Sequence, residues 1–470
     1  MGHNNEENLL NCEEFEQIIA EIVNDFDGDT NKAKSEILNF IKEGIYNESQ
    51  SIRYITTWHL SCLKENNEIS TEIIKILLDV MTKDMDQCVR ERAAWVLFEM
   101  SDRLSFILSD LIDIFNSSSY PEVRGYVALI LGKIGNSEIT PLLLSKIKKE
   151  RNSKTQSLIA WGLGYLGKNA TIAVPVLIDL MKNDESLVRW RSAQALGLIG
   201  DNKAIPVLLN ALKEDKCGDV RSSTVNALGK LEALEAIPHI NWTILNDDHE
   251  DTRFEATMAI GLMGNHANIS IPVLIETMKN DESSRVWAMA VQMFPSLGKE
   301  SKKAIPELIN VMLNDEDEFV QIMTIRTLGS LEAKEALEPI KFLQKQDIFQ
   351  NDVFEIFLAL ARIEGKKSDS YQQLVKLKEK DNFSEWELKD YELLSLRFDI
   401  EDRINRIIKE FFFFNEITTN QIHSEIKYIL FEKIDFLKTY LEDILKQKPH
   451  SQKLILPERL MKKRLFSLRL

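Results

Sequence analysis

Two sets of residues recur along the chain at spacings that suit chemistry. The first pairs a carboxylate with a guanidinium: Asp184 with Arg189, Asp215 with Arg221, and Asp248 with Arg253. A carboxylate acts as a base only when its charge is free, and a guanidinium within hydrogen-bond reach removes that freedom. The pattern therefore predicts a structural ladder. Each aspartate accepts backbone N–H groups at a helix start, and each arginine bridges to a neighbouring turn. Gln156 interrupts the ladder, and it is lost at Trp287 and Gln321.

The second set lies five residues beyond the arginine position. Successive occurrences read Trp58, Trp95, Leu129, Trp161, Gln194, Asn226, Met258 and Gln292, so three of the seven tryptophans share one slot. Indole rings beside side-chain amides suit recognition rather than bond making, because rings supply rigid apolar area and amides can grip an extended backbone. Two readings stay open. The rings cover seams between structural units, or Trp58, Trp95, Trp161, Gln194 and Asn226 line a groove for a protein partner. Nothing else assembles a catalytic set. The seven histidines are scattered, with His249-Glu250 alone in a turn, and Cys12, Cys62, Cys88 and Cys217 have no metal-type spacing. The thiols read as reduced, as in a cytoplasmic protein. No catalytic residue, cofactor or metal is assigned.

These residues need elements to hold them, and a repeat supplies those elements. Pro175-Val-Leu-Ile-Asp-Leu-Met-Lys, Pro206-Val-Leu-Leu-Asn-Ala-Leu-Lys and Pro272-Val-Leu-Ile-Glu-Thr-Met-Lys are copies of one block, with weaker copies at Pro141, Pro238, Pro306 and Pro339. The prolines stand 34, 31, 32, 34, 34 and 33 residues apart. A fixed period in this range is the mark of a solenoid. Each proline opens an amphipathic helix, where its missing N–H costs nothing in the first turn. A second periodic stretch, such as Val188, Ser192, Ala195, Leu196 and Ile199, closes on Gly197 and Gly200 as a left-handed helix cap requires. About ten helix pairs of 31–34 residues are expected over residues 33–366. Residues 1–32 read as an N-terminal helical cap. In the unit from Pro272 to Lys303, Pro295 replaces the first closing glycine, so its second helix should end or kink near Phe294.

The Asp-x(3–5)-Val-Arg segment, the Ala-Leu-Gly-x-Ile/Leu-Gly closure and the following Ala-Ile-Pro resemble the short HEAT repeats related to phycobilisome lyases. The resemblance implies an all-α HEAT-repeat solenoid whose concave face binds a protein or peptide. It also carries other implications. A HEAT-fold iron hydroxylase, deoxyhypusine hydroxylase, places His-Glu ligands directly after the Val-Arg position. Here those slots read Glu91-Arg92, Gly125-Tyr126, Trp190-Arg191, Ser222-Ser223 and Phe254-Glu255. A bilin lyase, or a subunit of one, is the enzymatic alternative by resemblance alone. Armadillo proteins, which resemble HEAT proteins, line their groove with Trp and Asn at one repeated position.

Charge narrows the choice further. The chain of 470 residues carries a formal −16, and residues 446–470 hold eight Lys/Arg and only Glu458, leaving 50 basic against 73 acidic residues, a formal −23, on the rest. An acidic body repels phosphate backbones, so nucleic acid or an anionic membrane is a candidate only for the tail from Lys453 to Leu470. No apolar run approaches the roughly 18 residues that span a bilayer. After Gly365 the period is lost. Residues 367–452 read as a separate helical region, with a capping-box start at Ser384-Glu-Trp-Glu387, the apolar run Phe411 to Phe414, and an amphipathic stretch from Thr419 to Lys446. The expectation is a cytoplasmic, non-catalytic scaffold or adaptor.

Overall fold

A computed structural model describes residues 30–61, 70–345, 352–379, 384 and 386–399, together with Gln17 and Glu21. Phe411–Phe414, the amphipathic stretch from Thr419, the tail from Lys453 and most of the expected N-terminal cap lie outside the described residues. The chain divides into two compact units, Met1–Ala233 and Leu234–Leu470. Among the described residues every element is helical, and none is a strand.

Among the described residues the first unit holds six helix pairs. They are α1 (Thr30–Ile45) with α2 (Gln50–His59), α3 (Ser70–Lys83) with α4 (Gln87–Glu99), and α5 (Leu108–Ser117) with α6 (Pro121–Ile134). Then follow α7 (Ile139–Ile147) with α8 (Ser153–Tyr165), α9 (Val174–Leu180) with α10 (Ser186–Ile199), and α11 (Ile205–Glu214) with α12 (Gly218–Lys230). Sequence sets each boundary. Proline stands in the first turn of α9 and α11, where no intrahelical partner awaits its N–H. Asp86 caps α4 by accepting from the Cys88 and Val89 N–H groups, and Asn152 caps α8 through the Thr155 N–H. Each pair closes over a fully buried stripe, such as Leu177, Val188, Ala195 and Leu196. A Leu or Val side chain taken fully out of water contributes about 1.5–3 kcal/mol, and the unit repeats that gain at every pair.

The two closing glycines have different jobs. Gly200 and Gly135 take φ of +79° and +85° and end α10 and α6 in the left-handed conformation. The first glycine of the motif lies inside the helix and is a packing residue, which corrects the reading of Gly197 as a cap. A Cβ on Gly197 would stand 2.7 Å from the Ala227 Cα, and one on Gly132 would stand 2.6 Å from the Gly162 carbonyl carbon. Successive second helices thus pack backbone against backbone, while successive first helices touch far less. The second helices form the tighter, inner side of this unit.

The second unit continues the pattern. Its pairs are α13 (Ile237–Asn246) with α14 (Glu250–Met263), α15 (Ile271–Asn280) with α16 (Ser284–Met293), α17 (Ile305–Asn314) with α18 (Glu318–Ser330), and α19 (Leu337–Gln344) with α20 (Val353–Glu364). α16 stops at Met293, and a 3₁₀ turn carries Phe294–Leu297, as Pro295 requires. The stretch Glu250–Asn280 is long and apolar enough by composition to cross a membrane. It is two helices, α14 and α15, separated by a 3₁₀ segment from Gly264 (φ +62°), and most of it is buried in the repeat core. Beyond Gly365, α21 (Asp369–Glu379) and α22 (residues 386–399) pack on α20 through Phe354, Leu358, Leu374, Leu394 and Phe398. The expected capping box is present. The Ser384 N–H donates to Glu387 Oε2 at 2.7 Å, and the Glu387 N–H donates to Ser384 Oγ at 3.3 Å.

Candidate functional site

The charge ladder runs between repeats. Arg53 pairs with Asp84 (2.8 Å), Arg124 with Glu150 (2.9 Å), Arg189 with Asp215 (2.6 Å) and Arg253 with Asp281 (2.9 Å), each acid belonging to the following unit. Arg90 reaches Glu122 in the same way, with its Nε 3.0 Å from the carboxylate. The same arginine also donates to a backbone carbonyl six residues before it, as Arg189 does to Asn183 (2.8 Å) and Arg253 to Asp247 (3.0 Å). That position carries the acid of the ladder in Asp84, Glu150, Asp215 and Asp281, and Glu122, in the first turn of α6, is the exception. Asp215 and Asp281 take the preceding repeat's arginine there and accept the N–H of Cys217 and Ser283. Asp184 and Asp248 were expected in this role, and the structure corrects the register by one: the equivalent positions are Asn183 and Asp247. Where Gln156 replaces the arginine, the next unit offers Asn183, whose Nδ2 donates to Gln156 Oε1 at 3.3 Å. A neutral pair thus stands in for a charged one.

These acids are spoken for. Burial pushes the Asp215 carboxyl up, but bonds from Arg189 and the Cys217 N–H outweigh it and hold the group below the usual carboxylate range. A carboxylate so held is a poor general base at neutral pH. Among the described residues no three His, Cys, Asp or Glu side chains gather as a metal-ion set.

The tryptophan slot lies on the inner side of the first unit. Trp58 on α2 is half exposed. The Arg92 guanidinium from α4 lies over both the Tyr54 ring (4.8 Å) and the Trp58 ring (5.2 Å), and it donates to the Tyr54 hydroxyl. Trp95 packs on Phe98 at 5.3 Å between centroids, and its Nε1 donates to Glu99 at 3.0 Å. Phe98 then meets Trp161 (6.1 Å) and Tyr165 (5.6 Å), both from α8. Adjacent helix axes stand about 8–10 Å apart, so α4 and α8 meet only by reaching over α6 between them. The slot residue of α6, Leu129, is fully buried, and Gly125 and Gly132 keep that helix slim. Lys154 and Glu91 make a second bridge between α8 and α4, at 2.6 Å.

Arg191 completes the group from α10. Its guanidinium carbon is 3.6 Å from the Trp161 ring centre and 4.0 Å from that of Trp190, and its Nη1 donates to Gln194 Oε1 at 2.7 Å. Burial lowers this guanidinium to about 10, and the neighbours that act on it are the hydroxyls of Tyr165 and Tyr126. Tyr126, on α6, is itself pushed up to about 12, by burial first and then by Glu91. The structure thus joins Trp95, Trp161 and Gln194 into one cluster through Phe98 and Arg191. It ties Trp58 to Arg92 and leaves Asn226 in the same slot on α12, half-buried. The tryptophan slot does not include Arg92, Phe98, Tyr126, Tyr165, Trp190 or Arg191, and the sequence points to Arg92, Tyr126, Trp190 and Arg191 only as positions where His-Glu ligands are missing. Their signal was present: one and two positions after the arginine slot read Tyr54, Arg92, Tyr126, Trp190 and Arg191.

A family model of HEAT repeats matches residues 140–229, 205–294 and 271–347. Helix pairs of the same kind flank that stretch, and the described residues have the all-α fold of a HEAT-repeat solenoid. Two solved structures with a TM-score of 0.50 agree on the fold. A chain of the Kap95p complex with RanGDP is 12% identical, with 97% of this chain and 72% of that chain covered and a TM-score of 0.50. Importin beta is also 12% identical, with 97% and 71% covered and a TM-score of 0.50. The complex of CpcE and CpcF of phycocyanin lyase from Nostoc is 18% identical, with 55% and 93% covered and a TM-score of 0.34. No curated protein matches the chain.

Proposed function

We propose that this protein is a non-catalytic scaffold or adaptor of the cytoplasm, which holds a protein segment on the second helices of its first unit. The observation that carries this reading is the cluster built by Trp95, Phe98, Trp161 and Arg191, with Trp58 and Arg92 beside it. Phe98 is buried, and over it Trp95 and Trp161 are partly exposed beside the exposed rings of Tyr165 and Trp58. Large rings that reach the surface, fixed by neighbours and edged with amides, are what protein interfaces use as anchors. The ladder, in contrast, holds the repeats in register and takes no part in binding. The test is capture from native cells with two baits, the wild-type chain and a Trp95→Ala/Trp161→Ala variant. Proteins recovered by the first and lost from the second support the reading. An identical set on both baits contradicts it.

A further inference from the structure

We infer that the partner segment is acidic, and that Arg92 and Arg191 receive its carboxylates. The inference rests on the interface reading above and adds the chemistry of what binds there.

Charge on this face runs against the charge of the chain. The whole carries a formal −16, yet the cluster presents Arg92, Lys133, Lys154 and Arg191 against Glu91 and Glu99. Glu91 and Lys154 pair with each other, and Glu99, which keeps its charge, accepts the Trp95 indole N–H. Arg92 and Arg191 differ from the ladder arginines. Arg53, Arg90, Arg124, Arg189 and Arg253 each close on a carboxylate, whereas Arg92 and Arg191 make no ion pair among the described residues. They rest on rings instead, with their edges bonded to Tyr54 and Gln194.

An arginine stacked on aromatic rings keeps its planar fork in place, so little freedom is lost when a carboxylate arrives. Partial burial makes the same charge costly to leave unmatched, and burial indeed lowers Arg191 to about 10. An incoming carboxylate forms a charge-assisted bond at a site where water screens poorly. The acidic remainder of the body does not prevent this, because charges beyond about 8 Å are largely screened at physiological ionic strength. It does count against a long polyanion. A nucleic acid would extend past this small basic area onto acidic surface, while a short acidic segment ends within it.

The test uses labelled probes and the full chain. The probes are a short peptide alternating glutamate with leucine, the same peptide with glutamine for glutamate, and oligouridylate, each followed by fluorescence anisotropy. The glutamate peptide is expected to bind saturably, more weakly as salt is raised. Arg92→Gln and Arg191→Gln should each weaken it about tenfold, with thermal melting unchanged. Arg191→Lys keeps the charge but loses the planar fork stacked on the rings, so it should weaken the glutamate peptide severalfold and stands in should the glutamine variant fold poorly. Equal binding of the glutamine peptide, tighter binding of oligouridylate, or no effect of Arg191→Gln overturns the inference. If both peptides bind equally and Trp161→Ala abolishes both, the charge preference falls and the protein-binding face stands. If neither binds, and the tryptophan-less bait recovers the wild-type partners, both fall.

Discussion

A Gly132→Ala substitution isolates the force that sets the inner face. The added Cβ would stand 2.6 Å from the Gly162 carbonyl carbon and 2.7 Å from its Cα. Ordinary contacts between carbon atoms lie at roughly 3.5–4.0 Å, so α6 and α8 must separate by about 1 Å. The obstacle is backbone and cannot rotate away. Overpacking of this kind costs about 3 kcal/mol at the upper end of its usual range. Alanine returns about 1 kcal/mol of helix propensity, leaving a net loss of about 2 kcal/mol. Gly200 is the control, since a Cβ there meets nothing within 4 Å and the only cost is its φ of +79°. Gly200→Ala should lose about 1 kcal/mol, and Gly200→Asn less, because asparagine tolerates the left-handed region. Urea unfolding followed by circular dichroism measures both losses, and hydrogen exchange of α6 and α8 amides locates the first. A Gly132→Ala protein as stable as wild type, or a Gly200→Asn protein as damaged as Gly132→Ala, would refute the division of labour between the two glycines.

Further outcomes follow from the same geometry. Glu232 takes the closing position that glycine holds elsewhere, at φ +52°, so Glu232→Gly should raise stability by about 1 kcal/mol in urea unfolding. Arg189→Gln should cost about 2 kcal/mol, and adding Asp215→Asn should recover part of it by recreating the neutral pairing of Gln156 with Asn183. The Asp215 carboxyl lies below its ordinary value in the folded chain, so its contribution is present above about pH 4 and lost as pH falls through the lowered folded value. Melting temperature measured down that range should therefore fall less steeply in Arg189→Gln than in the wild type.

The helix pairs were legible because three local signals agree in each unit: a proline at the first turn, apolar residues at helical spacing, and a glycine at the close. Pro295 broke that agreement and shortened α16 as its chemistry demands. Register within a turn was less legible. Asp184 and Asp248 lie beside the ladder position, and only the arginine's bond to the carbonyl six residues earlier separates them from Asn183 and Asp247. The candidate site was read one slot at a time, which finds Trp58, Trp95 and Trp161. Arg191 and Phe98 come from other slots. They join those rings because α4 and α8 reach across a glycine-slimmed α6, a three-dimensional fact that no single repeated position records.

The most direct test of the protein-binding face is a pair of measurements on Trp161→Ala: its affinity for the partner recovered by the wild-type bait, and its melting temperature. An anchor tryptophan at an interface is worth about 2 kcal/mol or more, so the dissociation constant should rise roughly thirtyfold while the fold stays largely intact. If the ring were seam packing, its loss would destabilise the array by roughly 3–5 kcal/mol, as for a core residue. Unchanged affinity, or a large fall in melting temperature without a specific loss of binding, would contradict the account.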